Sequence, residues 1–239
     1  MHFELRAIHK KTPGVLKFAF AVCLIPFFLP LLAQPAKEKT KSFSAGPKLT
    51  LRVYNYAGLD PSSLASSEKV ATSIFQNVGI DPVWVDCPTS KLNAVAYQAC
   101  DSPMGPADFV LRILPRNMAS KVRHSQDALG FAQICSVSEP ACELNIFYHR
   151  IDDWATKGYR ADRILGYAIA HEVGHILVGP SHSDDGIMRA SWSPSDLGRI
   201  SLGLQLDFSR DQSAQLRIAL LHRFTPSQQD ATIQVSLAR

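Results

Sequence analysis

Two histidines and a glutamate in one short stretch have the spacing of a metal site. His171 and His175 lie four residues apart, and Glu172 directly follows the first of them, in the pattern H-E-x-x-H. Residues four apart share one face of an α-helix, so both imidazoles can bind the same ion. Glu172 lies about 100° round the helix from His171, where it need not be a ligand and can instead reach a water molecule on the metal.

A third histidine follows seven residues after His175, at His182. Gly179 can end the helix in a left-handed conformation, and Pro180 prevents the helix from restarting. His182 is then free to approach the same ion. Three protein nitrogens with one open position are the arrangement of a catalytic zinc site, because a structural site is closed by four ligands. The alternative interpretation is a helix that happens to carry two ordinary histidines.

The helix that must present this motif is predicted over Arg163–Val178, with Asp162 as its N-cap. Its apolar residues cover most of the circumference, which is typical of a buried helix: Ile164, Leu165, Ala168, Ile169, Val173, Ile176 and Leu177. Histidines in a buried helix need partners. A shared metal and hydrogen bonds within the core are the two alternatives.

Five strands are predicted before the motif helix: Leu49–Ala57, Pro82–Asp86, Asp108–Leu114, Ala128–Cys135 and Glu143–His149. A helix from Asp60 to about Val78 joins the first two strands, which favours a right-handed parallel crossover. The third strand is strongly apolar and is predicted to be central. One helical turn is expected near Lys91–Ala99, and Asp152–Arg160 is predicted to be a polar connection.

The region after His182 is predicted to turn and then to end in a helix. Gly186 permits a tight turn, which would leave Met188 a few residues beyond the third histidine. The final helix is predicted over Arg210–Phe224, with a capping box between Ser209 and Gln212. We expect Trp84 and Trp192 in the core, Tyr148 and His149 in structural or surface positions, and His124 and His222 on the surface.

The N-terminus has the pattern of a targeting segment. Basic residues precede an almost wholly apolar run over 15–33, whose charge-free part, Phe18–Ala33, is short for a membrane span. We predict a signal peptide over residues 1–33, with an uncleaved anchor at 15–33 as the alternative. Residues 34–48 are predicted to be a flexible linker and residues 226–239 a polar tail.

Composition suits one ordinary domain and gives no reason to expect nucleic acid as a partner. The chain has 239 residues, of which 46% are hydrophobic, enough for a sizeable core. The net charge of +4 falls to +1 once residues 1–33 are removed, since 21 basic and 20 acidic residues remain. A nearly neutral domain gives no electrostatic case for nucleic acid as a partner.

Four cysteines remain after residue 33: Cys87, Cys100, Cys135 and Cys142. An even number in an exported chain favours disulfides, and we predict Cys87–Cys100 and Cys135–Cys142 because each pair closes a local loop. Free core thiols and a four-thiolate metal site are the alternatives. The spacing lacks the C-x-x-C pairs of a zinc ribbon, which disfavours the thiolate site.

The stretch from His171 to Met188 resembles the zinc-binding signature of the metzincin clan of metallopeptidases, H-E-x-x-H-x-x-G-x-x-H followed by a methionine turn. Gly186-Ile187-Met188 looks like that turn, and Ser183 directly after His182 is most like the matrixin branch. The chain departs from the pattern at one place, because three residues rather than two separate His175 from Gly179. Asp184 or Asp185 is the alternative third ligand.

The resemblance implies an α+β, zincin-like domain over residues 49–225, divided at Gly179 into N-terminal (49–179) and C-terminal (180–225) subdomains. It implies a twisted, mostly parallel sheet of about five strands with one antiparallel edge strand, two long helices and a final helix. Met188 would form a hydrophobic floor under the metal. We expect the strand over Glu143–His149 to be the edge to which an extended peptide adds.

The function that follows is a zinc-dependent endopeptidase with one catalytic Zn²⁺. His171, His175 and His182 would bind the ion, and Glu172 would act as general base. We expect a secreted or periplasmic monomer that acts on extended peptides or proteins and contacts a membrane only through an uncleaved N-terminal segment. A catalytically silent, zinc-stabilised binding protein of the same fold is the alternative, and a membrane-anchored protein with a chance motif is a third.

Overall fold

The computed structural model describes residues 46–90, 98–122, 127–133, 135 and 142–224. The predicted signal segment, most of the linker, the polar tail, His124 and most of the turn expected at Lys91–Ala99 lie outside the described residues. Within these ranges, no helix combines the length and the apolar character that a membrane span requires.

The described strands form one five-stranded sheet. They are β1 (Lys48–Asn55), β2 (Asp81–Cys87), β3 (Asp108–Leu114), β4 (Gly130–Gln133) and β5 (Cys142–Phe147). The order is β2-β1-β3-β5-β4, parallel throughout except for β4, which pairs antiparallel with β5. The predicted parallel crossover, the central position of the third strand and the antiparallel edge strand are confirmed.

The strand expected to be the edge is an inner strand instead. β5 hydrogen-bonds to β3 on one side and to β4 on the other, so β4 is the edge strand on this side of the sheet and β2 is the other edge strand. Leu144, Ile146 and Phe147 of β5 are fully buried, as expected for a strand with neighbours on both sides. The prediction that an extended peptide adds directly to Glu143–His149 is therefore wrong.

The helices in the described residues are α1 (Pro61–Asn77), α2 (Gln98–Asp101), α3 (Arg116–Ala119), α4 (Tyr148–Ala155), α5 (Ala161–Val178), α6 (Pro194–Leu202) and α7 (Arg210–His222). The two long ones, α1 and α5, pack against each other, and their apolar faces share one core with the sheet. Asp60 caps α1 by accepting hydrogen bonds from the backbone N–H groups of Ser62 and Ser63. The final helix begins with the predicted capping box of Ser209 and Gln212.

Two predictions around α4 and α5 are wrong. Tyr148 and His149 do not end a strand, because the chain enters α4 at Tyr148, and most of the expected polar connection is helical. The signal is the spacing of buried Ile151 and partly buried Trp154 on one helix face. Asp162 is not the N-cap of α5. It lies within the first turn and holds the guanidinium of Arg160, with Arg160 Nε 2.9 Å from Asp162 Oδ1.

Helix α6 has no counterpart in the prediction, although its signals are present in the sequence. Ser193 and Asp196 form a reciprocal capping box, and Pro194 occupies the first turn. Gly203 ends the helix with a φ of 83°, a conformation that glycine adopts without steric cost. These signals are local, but nothing in the apolar pattern of such a short segment distinguishes it from a loop.

Both predicted cysteine pairs are brought to disulfide distance. Cys87 and Cys100 have Cα atoms 5.7 Å apart and join the end of β2 to α2. Cys135 and Cys142 have Cα atoms 5.4 Å apart, so the second pair ties the segment after β4 to the first residue of β5. This disulfide closes the β4–β5 hairpin at the end opposite Gly130, where β4 begins.

A buried arginine fixes the segment that follows α2. Arg52 is 4% exposed, and its guanidinium donates to the carbonyl oxygens of Cys100, Ser102 and Pro103 at 3.1, 2.7 and 3.0 Å. It also pairs with Asp108 at 2.9 Å. Because neighbouring strand residues face opposite sides, Arg52 occupies the sheet face away from core residues Leu51 and Val53.

We expect Arg52→Ala to lower the free energy of unfolding by about 3–5 kcal/mol, since it removes the buried guanidinium that pairs with Asp108 and donates to three backbone carbonyls. The matched control is Arg116→Ala, whose ion pair with Asp153 is solvent-exposed at 3.4 Å and should contribute less than about 1 kcal/mol. Urea unfolding of both variants measures the difference. Equal losses would show that the Arg52 network does not hold the segment.

Candidate metal centre

Helix α5 and the turn after it bring the three predicted histidines together. Their ligand nitrogens all lie within 4.8 Å of one another. The ring centroid of His182 is 5.5 Å from that of His171 and 4.8 Å from that of His175. Asp184 and Asp185, the alternative ligands, are not part of this cluster.

The extra residue before Gly179 is accommodated by helix length. Helix α5 continues to Val178, and the backbone N–H of Gly179 still donates to the carbonyl of His175 at 3.1 Å. Gly179 then adopts a φ of 108° and a ψ of −178°, a region open essentially to glycine alone, rather than the left-handed helical conformation expected. The reversal at Gly179 returns the chain so that His182 reaches the other two rings.

The outer nitrogens of two rings are held by backbone carbonyls. His171 Nδ1 lies 2.8 Å from the Ile187 oxygen, and His175 Nδ1 lies 2.9 Å from the Gly179 oxygen. A carbonyl can only accept, so each Nδ1 carries the hydrogen and each Nε2 keeps its lone pair. The two Nε2 atoms face each other at 3.0 Å.

Two facing lone pairs repel unless a cation or a proton lies between them. Burial lowers the pKa of His171 to about 4, and the neighbouring histidines add to this effect, while the hydrogen bond to Ile187 opposes it. Burial also lowers the pKa of His175. Protonation therefore does not relieve the contact at neutral pH. A set of neutral imidazole nitrogens fits a zinc ion, which prefers such ligands.

Glu172 lies beside the edge strand with part of its carboxyl group unsatisfied. The residue is 5% exposed, and its Oε2 has no hydrogen-bond partner within the described residues. Burial raises its pKa to about 8. A Cβ at Gly130 of β4 would lie 2.7 Å from the backbone oxygen of Asn145 and 2.9 Å from Glu172 Oε1, so only glycine fits. The carboxyl group is thus positioned next to the edge of the sheet and can take a partner that is not protein.

Met188 packs against the motif helix, as the sequence predicts for a residue of the turn. It is 1% exposed, and its sulfur lies against Gly174, the residue before His175. The turn is closed by the backbone N–H of Ser183, which donates to the Met188 carbonyl at 2.8 Å. The same turn supplies the Ile187 carbonyl that holds His171.

Two residues at the site were not recognised in the sequence as part of it. Trp192 packs against the core, as predicted, but its half-buried ring also lies 5.9 Å from that of His171 and perpendicular to it. Its closeness in sequence to Met188 is the available signal. Gly130 lies far from the motif in sequence, and no local pattern distinguishes it from a turn glycine.

The comparisons with known proteins found matches among solved structures but none by sequence. No protein-family model matches the chain, and no curated protein matches its sequence. Among solved structures, the chain is similar to metalloproteinase-II from Bacteroides fragilis, with 13% sequence identity and a TM-score of 0.45. The match covers 75% of this chain and 55% of that one, so the chain spans little more than half of that structure. The case for the site therefore comes from its own geometry.

We expect zinc to stabilise the metal-free protein by mass action, by about 2.7 kcal/mol at a free concentration one hundred times the Kd. His182→Ala should abolish most of this gain, and because His182 is exposed, its removal should change the metal-free stability little. His222→Ala, on the exposed side of α7, is the control. Thermal unfolding with and without zinc measures the gain. An unchanged gain in His182→Ala would contradict the three-histidine site.

The metal-free protein should also lose stability as the pH rises towards 8. The pKa of Glu172 is about 8 when folded against a reference of 4.5, so the folded state binds more protons between these values and unfolding becomes easier as pH increases. His171 acts in the opposite direction but only between pH 4 and 6.5. The Glu68 carboxyl, whose pKa is raised to about 7 by burial and by the neighbouring Asp86, lowers stability over part of the same range. Urea midpoints in chelator should therefore fall more steeply between pH 6.5 and 8 for wild type than for Glu172→Gln. Parallel slopes would contradict the burial argument.

Proposed function

We propose that the protein is a zinc-dependent endopeptidase in which His171, His175 and His182 bind one Zn²⁺ and Glu172 is the general base. The observation that carries this proposal is the combination of three converging imidazoles with a buried, incompletely hydrogen-bonded carboxyl group on the helix that carries two of them. Such a carboxyl group lowers stability unless it finds a partner. A role in the reaction explains why it is there, and a purely structural zinc site does not.

The residues divide the chemistry between them. When bound, zinc supplies a Lewis acid that polarises a substrate carbonyl and lowers the pKa of a water molecule. A nearby cation favours the charged form of a carboxylate, so Glu172 would be ionised in the zinc-loaded protein. Glu172 would take a proton from water during attack on the peptide carbonyl and pass it to the leaving nitrogen. The carbonyls of Ile187 and Gly179 keep the imidazoles oriented.

The substrate would be an extended peptide added to the edge strand. Because β4 is the sheet edge beside Glu172, the proposal places the peptide along β4 instead of β5. Gly130 lies against the Glu172 carboxyl group, so a peptide paired with β4 would pass the general base there. Met188 would support the site from beneath as a packed side chain that does not bind the metal.

Disulfides form and persist in oxidising compartments, so the two cysteine pairs at disulfide distance indicate export. We propose that the mature protein is a secreted or periplasmic monomer released by cleavage of residues 1–33. A zinc-loaded binding protein without turnover remains the competing function, and it differs from the protease in one measurable respect, the dependence of peptide cleavage on Glu172.

Cleavage of a broad peptide library by wild type and Glu172→Ala, with zinc content measured on both samples, separates these functions. We expect both proteins to hold close to one zinc ion and the variant to cleave at least 10²-fold more slowly, the loss typical of a missing general base. Glu172→Gln, which keeps the shape of the side chain, should be similarly impaired. Zinc-loaded wild type that is as inert as Glu172→Ala would favour the binding protein.

A further inference from the structure

The indole of Trp192 lies between two residues of the motif helix. Tyr167 and His171 are four residues apart on α5 and so share a face. Trp192 meets both edge-to-face, with its ring 6.2 Å from Tyr167 and 5.9 Å from His171 at an interplanar angle of 89° in each case. Perpendicular aromatic contacts at these distances are favourable and directional.

The same indole shares a hydrogen-bond acceptor with His171. Trp192 Nε1 donates to the Ile187 carbonyl at 3.3 Å, and His171 Nδ1 donates to that oxygen at 2.8 Å. A carbonyl oxygen has two lone pairs and can accept both. The indole therefore fixes the carbonyl that sets the His171 tautomer, and it also limits rotation of the imidazole through the ring contact.

The backbone on either side of Trp192 is itself held in place. Arg189 pairs with Asp196 at 2.9 Å, which closes the segment that contains the tryptophan. Directly after it, Ser193 and Asp196 form the capping box of α6, in which each side chain accepts the other's backbone N–H. Trp192 is therefore presented by a closed segment rather than by a free loop.

We propose that Trp192 is a positioning residue for the metal centre, which holds the ring plane and tautomer of His171 so that Nε2 points at the cluster. This inference rests on the proposed metal site. It goes beyond it because it assigns part of the metal affinity to a side chain that is not a ligand. Groups that orient metal-bound histidines typically contribute 10- to 100-fold to affinity.

Trp84 provides a matched control. It is also half-buried against the core, and its Nε1 also donates a hydrogen bond, to Thr72 Oγ1 at 2.9 Å. That bond joins β2 to α1 and involves no residue of the histidine cluster. Replacing Trp84 with phenylalanine removes an indole donor of the same kind from a place where no effect on metal binding is expected.

The test is a Co²⁺ titration of full-length, metal-free protein, with the visible absorption of bound Co²⁺ as the signal. We expect Trp192→Phe to raise the Kd about tenfold and to alter the Co²⁺ spectrum, and Trp84→Phe to change neither. Trp192→Tyr is made in parallel, and circular dichroism checks that each variant is folded. One folded Trp192 variant is enough for the test. Wild-type affinity and spectrum in Trp192 variants would overturn the inference and leave the metal site standing.

A fluorescence measurement needs no change at Trp192. The chain has three tryptophans, so Trp84→Phe/Trp154→Phe leaves Trp192 as the single emitter. We expect Co²⁺ to quench its emission in a one-to-one titration, because the indole lies against a ligand ring. Stoichiometric Co²⁺ binding without quenching would overturn the placement of Trp192. Wild type that binds no Co²⁺ would overturn both this inference and the proposed function.

Discussion

Two hydrogen bonds between imidazole and backbone decide what the histidine cluster can do. The carbonyls of Gly179 and Ile187 take the Nδ1 hydrogens of His175 and His171, so both Nε2 lone pairs face a common point. One carbonyl comes from the residue that ends α5, and the other from the turn that contains Met188. The reversal of the chain at Gly179 therefore brings in His182 and also supplies an acceptor, so the later segment completes the site in two ways.

The site lowers the stability of the metal-free protein. Glu172 lies almost fully buried, and one of its carboxyl oxygens has no hydrogen-bond partner among the described residues. Arrangements of this kind persist where the surrounding structure fixes them, and they occur at functional sites. Here the fixing elements are the packed core around α5 and strand β4, whose Gly130 lies against the carboxyl group and whose hairpin is closed by Cys135–Cys142.

Sequence reasoning succeeded where the signal is local and failed where neighbours decide. The motif, the strand cores, the two long helices and the cysteine pairs depend on residues close together in the chain. The identity of the edge strand does not, because the Glu143–His149 pattern is compatible with an inner or an outer position. Helix α4 was missed because Tyr148 and His149 continue the strand alternation, whereas packing of Ile151 and Trp154 favours a helix.

By itself, the sequence determined which groups could bind a metal, His171, His175 and His182, and which carboxyl group accompanies them, because helical periodicity fixes the first two and the glycine break predicts the third. Only the tertiary structure decided that His182 reaches the cluster despite the extra residue, since this depends on the φ of 108° at Gly179. Only the fold placed Gly130 against Glu172 and Trp192 against His171. Those contacts join segments that lie apart in the chain, and no local sequence pattern predicts that the segments meet. The contacts form because the core packs the segments together.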